Sequence, residues 1–226
     1  MNLLYQCYLC NSPGGFLCEP CAHALLNEKC RKVTQGKCST DSLLSPHCYT
    51  DRIGQIIQVA KQDNRLRAAW ALAKYTEHFS RQALGQDAWD LILPVPSRWR
   101  SLRSRGFHLP RLLASAIAKS CMGRALSFIE CYFILYSPFR LTLPQKYLLP
   151  AERLSNAENA FFCLPISLRD KSVLIVDDVI STGSTLANVV AKVREHHPAR
   201  LEAFCLAHSH RHVSVPSRYD QSTRTT

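Results

Sequence analysis

The segment from residue 173 to residue 185 constrains the fold more than any other part of the sequence. Residues 173–176 are all branched and apolar, which is typical of a strand buried on both faces of a parallel sheet. Asp177 and Asp178 follow directly, and a run of small and hydroxyl-bearing residues precedes apolar residues at helical spacing up to Arg194. The pattern predicts a strand that brings two carboxylates to its carboxyl end, then a tight loop and a helix. The loop residues are Ser181, Thr182, Gly183, Ser184 and Thr185.

This loop has the composition of a phosphate-binding turn. Gly183 permits a backbone with positive φ, and the loop N–H groups can converge on one phosphate at the positive end of the helix. Asp177 and Asp178 repel each other, and they become favourable when a sugar diol donates hydrogen bonds to them or Mg²⁺ lies close by. Acids and loop are thus spaced for a ribose 5-phosphate. In the alternative interpretation the segment is an ordinary strand, turn and helix, with Asp and Ser as caps.

The whole segment resembles the phosphoribosyl-diphosphate (PRPP) signature of type I phosphoribosyltransferases. The resemblance implies that Asp177 and Asp178 hold the 2′ and 3′ hydroxyls of the ribose, that the loop holds the 5-phosphate, and that Mg²⁺ accompanies PRPP. It also implies a five-stranded parallel core with a variable hood. Strands alternating with helices favour the same α/β class, a parallel sheet flanked by helices. The strands are predicted at residues 91–93, 127–135, 160–164, 173–176 and 203–206, and the helices at 53–60, 66–73, 112–117 and 184–194.

A second loop follows the short apolar run at residues 91–93, which Pro94 and Pro96 end. In phosphoribosyltransferases the loop at this place binds pyrophosphate, so the resemblance implies that role for Pro96, Ser97 and Arg98. The planar guanidinium of Arg98 suits phosphate oxygens.

The net charge of +11 favours a polyanionic partner or a phosphate-rich ligand. Between residues 91 and 129 there are seven basic residues and no acidic one. Arginines interleaved with aromatic residues suit single-stranded nucleic acid through backbone charge and base stacking, and a solvated basic face is the alternative. The nucleic-acid candidates are Arg100, Arg103, Arg105 and Phe107.

Seven of the eleven cysteines lie in the first 48 residues. Cys7 and Cys10 form one pair with two intervening residues, and Cys18 and Cys21 form a second. Four thiolates from two such pairs suit tetrahedral Zn²⁺, which contributes about 10–16 kcal/mol in small modules. A redox role for the Cys-x-x-Cys motif is the alternative.

The other residues of this region allow a second, looser zinc site, because carboxylate and imidazole also bind zinc. The alternative is a decayed site with leftover thiols. The candidate ligands are Cys30, Cys38, Asp41, His47 and Cys48.

Taken in order, the motifs resemble the ComF family, which includes the ComFC and GntX-type competence proteins. The family usually has Arg-Gly-Phe-Asn-Gln, whereas His108 and Leu109 follow Phe107 here; His108 is still able to donate a hydrogen bond. The resemblance implies a link to natural transformation and to the handling of incoming single-stranded DNA. Besides the features above, it is carried by Lys61, Asp90, Arg105-Gly106-Phe107, Gln145, Leu148, Arg153, Asn156, Ala160 and Phe161.

Three functions follow as hypotheses. The first is a competence-type DNA-handling protein that uses a PRPP site as a catalyst or as a sensor. The second is a nucleotide-salvage phosphoribosyltransferase, and the third is a non-catalytic regulator in which PRPP switches partner affinity. In a catalyst, Mg²⁺–PRPP would react at C1 with pyrophosphate leaving, to an acceptor that the sequence does not identify. The candidate catalytic residues are Arg98 and, in a proline-rich excursion at 137–158 with the composition of a lid, Arg140 and Arg153.

Three regions are expected: a Cys-rich zinc module at 1–50, a phosphoribosyltransferase-like domain at 51–208, and a polar tail at 209–226. No apolar run approaches the ~18 residues that span a bilayer, and the first residues lack the pattern of a secretion signal. A cytoplasmic location is therefore expected. The expected partners are PRPP, single-stranded DNA and other competence proteins at the cytoplasmic face of the membrane.

Overall fold

A parallel sheet of six strands forms the centre of the protein in this computed structural model. The structure describes residues 6–13, 16–27, 40–62, 65–84, 88–97, 103–125 and 168–209. The helices are α1 (Glu19–Leu26), α2 (Arg52–Gln62), α3 (Leu66–Ala83), α4 (Leu109–Ser120) and α5 (Ser184–Arg194). The strands are β1 (Ser42–Leu44), β2 (His47–Cys48), β3 (Ala88–Pro94), β4 (Met122–Ala125), β5 (Ser172–Ile180) and β6 (Arg200–His208).

The strand order is β1-β6-β5-β3-β4, and β2 also pairs with β6. The central strand β5 runs from Ser172 opposite Arg200 to Ile180 opposite His208 on one side. On its other side it pairs with the end of β3, where Pro94 lies opposite Val176. The predicted α/β class, a parallel sheet flanked by helices, is confirmed.

Alternating side chains of β5 belong to two separate cores, because successive residues of a strand point to opposite faces. Leu174 and Val176 belong to a core shared with α1, α2, α3 and α4, whereas Val173 and Ile175 pack with α5. All four residues are at most 1% exposed. Burial on both faces explains why this strand reads as a continuous apolar run rather than an alternating one.

The helices begin close to where the sequence pattern places them, but α3 continues ten residues beyond the predicted range 66–73, to Ala83. Helix α2 ends at Gln62 and α3 begins at Leu66, on either side of the interruption predicted at residues 63–64, which lie outside the described residues. Pro110 lies in the first turn of α4, where its missing N–H costs nothing. The helix predicted at 184–194 coincides with α5. The predicted strands at 127–135 and 160–164, the excursion at 137–158 and the tail beyond Ser209 lie outside the described residues.

The Cys-rich region is joined to the sheet domain rather than set apart from it. Cys7, Leu17 and Leu25 are buried in the same core as α3 and α4, and Phe16 stacks on Trp70 of α3 at 5.8 Å between ring centroids. Strands β1 and β2 pair with β6, so residues 42–44 and 47–48 belong to the sheet although they precede the domain boundary predicted at residue 50.

The longest described helix, α3, has 18 residues. Among the described residues, none of the helices combines the length and the apolar character needed to cross a bilayer.

Candidate functional site

The two loops singled out by the sequence meet at one edge of the sheet. The chain leaves β3 towards α4 on one face, and it leaves β5 towards α5 on the other face. Neighbouring parallel strands with connections to opposite faces leave a crevice beyond their carboxyl ends, which is where α/β proteins bind ligands. The backbone N–H of Val95 donates to the carbonyl of Val176 at 2.8 Å, so the loop after β3 lies beside Asp177 and Asp178.

Asp178 is buried near the carboxyl end of β5 and forms an ion pair with Lys61 of α2. The Nζ–Oδ1 distance is 2.6 Å, and the Asp178 side chain is 8% exposed. One carboxylate oxygen is therefore engaged by a protein cation, and Oδ2 lies outside this pair. The two acids are therefore not equivalent, because Asp178 already has Lys61 as its counter-ion.

Asp177, half-buried beside Asp178, is in a different electrostatic state. Burial, and next the charge of Asp178, raise the pKa of Asp177 to about 8, against the opposing effects of the Asp178 N–H and of Lys61. Asp177 Oδ1 accepts a hydrogen bond from the backbone N–H of Asp178 at 2.8 Å. One of the two neighbouring carboxyls is paired with a cation, and the other tends to stay protonated. A divalent cation or a hydroxyl-bearing ligand that binds them would strongly change the protonation of this pair.

The loop after β5 has the shape of an anion site. Gly183 has φ 76° and ψ −5° and precedes the first residue of α5. This left-handed conformation strains any residue with a Cβ, although an added Cβ would have room, 3.9 Å from Ile180. Ser181, Thr182 and Ser184 are exposed, and the first N–H groups of a helix have no intrahelical partner. The loop therefore offers backbone and hydroxyl donors at the positive end of α5.

Neighbouring residues fix this loop in place. Thr182 Oγ1 lies 2.9 Å from Ser184 Oγ and accepts from the Ser184 N–H at 3.4 Å. From the end of β6, the Ser209 N–H donates to Ile180 O at 2.9 Å and the Ser209 hydroxyl donates to Ser181 O at 3.1 Å. Ser209 therefore connects the end of β6 to the first residue of the loop.

The loop after β3 is held by a histidine. The backbone N–H of Ser97 donates to Nε2 of His108 at 3.2 Å, and His108 is 6% exposed. Burial lowers the pKa of His108 to about 4, so the ring is neutral with its proton on Nδ1. The sequence pointed to His108 as a hydrogen-bond donor; at Nε2 it is an acceptor instead, because Ser97 supplies the proton.

The four cysteines Cys7, Cys10, Cys18 and Cys21 come together as predicted. Their sulfur atoms all lie within 4.8 Å of one another, and the Cys10 and Cys18 sulfurs are 3.5 Å apart. A tetrahedral ion with Zn–S bonds of about 2.3 Å separates its ligand sulfurs by about 3.8 Å. The first pair lies in a turn closed by the Asn11 N–H to Cys7 O bond, and the second pair begins α1. This group can hold a metal ion.

The electrostatics of the group fit a cation at its centre. A hydrogen bond with the Ser12 side chain is the main cause that lowers the pKa of Cys10 to about 6. Burial and the neighbouring thiols raise the pKa of Cys21 well above its ordinary range. Four sulfurs this close cannot all be thiolates without a compensating charge, which a divalent metal supplies.

The three candidates for a second metal site that the structure describes, Asp41, His47 and Cys48, do not form one cluster. Asp41 pairs with Arg194 and accepts from the Leu201 N–H, whereas Cys48 lies opposite His208. Leu201 and His208 are seven positions apart on β6, which is about 23 Å of strand, so Asp41 cannot share an ion with Cys48. His47 instead contacts Tyr75, with Nε2 2.5 Å from its hydroxyl. Cys30 and Cys38 lie outside the described residues.

Only part of the predicted basic surface is described. Arg103 is exposed and Arg105 is half-buried. Phe107 packs partly against the core, which removes some of its ring from any stacking surface. Asp90, one of the motif positions, lies at the opposite end of β3 and accepts from the Ser172 N–H at 2.8 Å, so it joins strands rather than lining the crevice. The candidates Arg98, Arg100, Arg140 and Arg153 lie outside the described residues.

The sequence assigns no role in the PRPP site to Lys61 or His108, which both lie near Asp178 in the structure. Lys61 belongs to the motif pattern, but the sequence gives no sign that it pairs with an acid 117 positions away. His108 follows Arg-Gly-Phe, at the position where the ComF family usually has asparagine. This departure from the motif is the sequence feature that could have pointed to a role for His108.

The fold and the crevice define a protein of the phosphoribosyltransferase-like class. In agreement, the model of the phosphoribosyl transferase domain family matches residues 149–225. The resemblance to the ComF family is confirmed as well, since the chain is homologous over most of its length to DNA utilization protein YhgH. It is 27% identical to YhgH of Salmonella typhi over 205 residues, 88% of this chain and 82% of that protein. With YhgH of Escherichia coli K12 the identity is 24% over 225 residues, 88% and 95% of the two chains.

The solved structures with some similarity include two phosphoribosyltransferases. The purine phosphoribosyltransferase of Pyrococcus horikoshii Ot3 is 21% identical, with 66% of this chain and 80% of that chain covered and a TM-score of 0.38. A hypoxanthine phosphoribosyltransferase of Trypanosoma cruzi is 17% identical, with 74% and 75% covered and a TM-score of 0.33.

Proposed function

We propose that this protein binds PRPP with Mg²⁺ in the crevice beyond β3 and β5 and acts in the handling of imported single-stranded DNA. The observation that carries the proposal is the placement of Asp177 and Asp178 two residues before an exposed loop at the positive end of α5. Carboxyl oxygens there suit the ribose hydroxyls and a hard cation. The loop N–H groups suit the 5-phosphate.

The loop after β3 would take the diphosphate. Ser97 lies at the same sheet edge as the acidic pair, and Arg98 follows it in the sequence. A diphosphate between this loop and a metal ion would meet positive charge on two sides, which stabilises the leaving group in any transfer reaction. Arg98, Arg140 and Arg153 are proposed to contribute to that charge.

The DNA role is supported by the relatives named for DNA utilization and by the basic character of the chain. Arg103 and Arg105 lie on a short helical turn between the diphosphate loop and α4. Single-stranded DNA bound there would contact the crevice rim through its phosphates. The group of four cysteines is proposed to hold a structural Zn²⁺, which keeps the Cys-rich region folded against α3.

Calorimetry with PRPP and Mg²⁺ tests the ligand. We expect binding by the wild type and its loss in the double variant Asp177→Asn with Asp178→Asn, because the diol then loses both anionic acceptors. Asp170→Asn is the matched control, since Asp170 is exposed on the turn before β5 with φ 59° and asparagine suits that conformation. Equal affinity of the double variant and the wild type would refute the assignment.

Turnover and DNA binding need separate assays. Release of pyrophosphate from PRPP distinguishes a transferase from a protein that uses PRPP only as a signal. Single-stranded DNA affinity is expected to fall steeply with salt and less steeply in Arg103→Ala with Arg105→Ala, because each lost phosphate contact lowers the slope by about 0.7. Arg169→Ala, an exposed arginine on the turn before β5, is the control. An affinity that does not change with salt would exclude this surface as the DNA site.

A further inference from the structure

Lys61 is the one cation that forms a salt bridge with the acidic pair among the described residues. Its ammonium nitrogen is 2.6 Å from Asp178 Oδ1, and its side chain is 24% exposed against 8% for Asp178. The lysine lies in the last turn of α2, where a positive charge is also favoured by the helix dipole. It therefore reaches the crevice from the side of the buried acid and still touches solvent.

Ionisable groups from three elements lie around Asp178. Asp177 is its neighbour on β5, Lys61 approaches from α2, and the neutral ring of His108 lies near it at the start of α4. A carboxylate this buried is strongly unfavourable without a counter-ion. Lys61 is the counter-ion of Asp178, and its charge also lowers the pKa of Asp177.

The ion pair leaves capacity for a ligand on both partners. An ammonium group has three donors and a carboxylate about four acceptor sites, so a single bond between Nζ and Oδ1 uses a minority of them. A sugar hydroxyl can donate to Oδ2 while Lys61 holds Oδ1. The fixed oxygen also limits rotation of the carboxylate, so the free oxygen is presented in one orientation.

We infer that Lys61 is a positioning residue of the PRPP site, which neutralises and orients the Asp178 carboxylate and stays paired with it when the ribose binds. The inference rests on the proposed function, because it concerns the same ligand. In the alternative role, Lys61 blocks Asp178 and has to move away before the sugar binds. The two differ in sign: removal of a supporting lysine weakens binding, and removal of a blocking one strengthens it.

The first measurement is the PRPP affinity of Lys61→Met and Lys61→Arg by calorimetry with Mg²⁺. We expect Lys61→Met to bind about 30-fold more weakly or worse, as when one partner of a buried charge pair is removed. Lys61→Arg keeps the charge and should restore most of the affinity. Lys192→Met is the matched control, because Lys192 also lies in the last turn of an 11-residue helix but pairs with exposed Glu195.

The pH profile separates positioning from a general effect on folding. The charge of Lys61 lowers the pKa of Asp177, so in Lys61→Met the pH dependence of PRPP binding should move to higher pH. In Lys61→Arg it should stay where it is in the wild type. A lysine that only holds α2 in place would weaken binding without moving the profile.

A double-mutant cycle with Asp178→Asn completes the test. If Lys61→Met alone folds poorly, the comparison of the double variant with Asp178→Asn remains usable, since the double variant has no unpaired buried charge. We expect the effect of Lys61→Met to vanish in the Asp178→Asn background, because the lysine acts through that carboxylate. Additive effects, or a Lys61→Met variant that binds as tightly as the wild type with an unchanged pH profile, would overturn the inference and leave the proposed function standing. A wild-type protein without PRPP binding would overturn both.

Discussion

The backbone N–H of Ser97 donates to Nε2 of His108 across 3.2 Å, and this bond joins the loop after β3 to the start of α4. Because α4 packs on the sheet through Leu113 and Ile117, the loop is attached to a rigid element rather than only to its own strand. Fixed N–H groups bind a diphosphate better than mobile ones, since little order is lost on binding. If the loop binds diphosphate as proposed, this bond contributes to the affinity as well as to the local structure.

We predict that His108→Ala weakens PRPP binding about tenfold and lowers the free energy of unfolding by about 1–3 kcal/mol, the cost of a buried donor left without its partner. Calorimetry and denaturant unfolding measure the two effects. His108→Asn, which has the residue usual in the family, offers an amide oxygen as acceptor and should lose less of both. His23→Ala, an exposed histidine on α1, is the control. Equal PRPP affinity in His108→Ala and the wild type would contradict a role for this bond in the site.

Local patterns explain how much of the fold the sequence predicts. The run at residues 173–176 identified β5 because a strand buried on both faces leaves no polar position inside it. Gly183 and the hydroxyl residues identified the loop because a left-handed turn before a helix restricts residue type. The cysteine pairs identified the metal group because ligand spacing is itself local. In each case the cause and its sequence signal lie within about fifteen residues.

Long-range pairing explains what the sequence missed. Strands β1 and β2 are only three and two residues long, and pairing with β6, about 160 positions later, makes them strands. The contact between Lys61 and Asp178 has the same character. A lysine in the last turn of a helix is ordinary on its own, and only the crossing of α2 over the sheet gives it an acid as neighbour.

The left-handed backbone at Gly183 leads to a prediction that distinguishes backbone strain from a steric clash. Gly183→Ala meets no clash, so its cost is conformational, about 1–2 kcal/mol in the free energy of unfolding. Relief of that strain would turn the N–H groups at the start of α5, so ribose 5-phosphate affinity should fall about tenfold or more. Thermal unfolding and ribose 5-phosphate titration measure the two quantities.

Gly106→Ala is the control for that experiment. Gly106 has a similar φ of 73° and also has room for a Cβ, but it lies before α4 rather than at the phosphate loop. It should cost similar stability and leave ribose 5-phosphate affinity unchanged. An equal loss of affinity in both variants would mean that strain in general, and not the loop geometry, governs binding.

The cysteine group predicts how the protein depends on its metal. The purified protein should contain one equivalent of zinc, and Cys10→Ser should lose it, because a hydroxyl is a poor substitute for a thiolate. Cys10 is exposed, so the substitution buries nothing new and any loss of stability reflects the metal. Since Cys7 and Leu17 belong to the core of α3 and α4, that loss should reach the whole domain and lower the unfolding midpoint. Metal analysis showing less than one equivalent in the wild type would contradict the prediction.

Asp177 makes the stability of the protein depend on pH in a direction that can be worked out. Burial and the neighbouring Asp178 raise its pKa from 3.8 to about 8, so between those values the folded protein binds more protons at this position than the unfolded chain. Stability then falls as pH rises, because unfolding releases the proton. The unfavourable contribution is absent below about pH 4 and complete above about pH 8.

His47 and His108 act in the opposite direction over part of this range. Burial lowers the pKa of each to about 4, so they increase stability as pH rises from 4 towards 6.5. The comparison of wild type with Asp177→Asn cancels both, since the histidines are the same in the two proteins. We expect the variant to gain on the wild type by more than about 1 kcal/mol between pH 5 and pH 8, the equivalent of one pKa unit. Denaturant unfolding at four pH values measures the difference, with Asp170→Asn as control. A constant difference over this range would show that Asp177 is ionised throughout, and a carboxylate already ionised without ligand would have no proton to release when Mg²⁺ and PRPP bind.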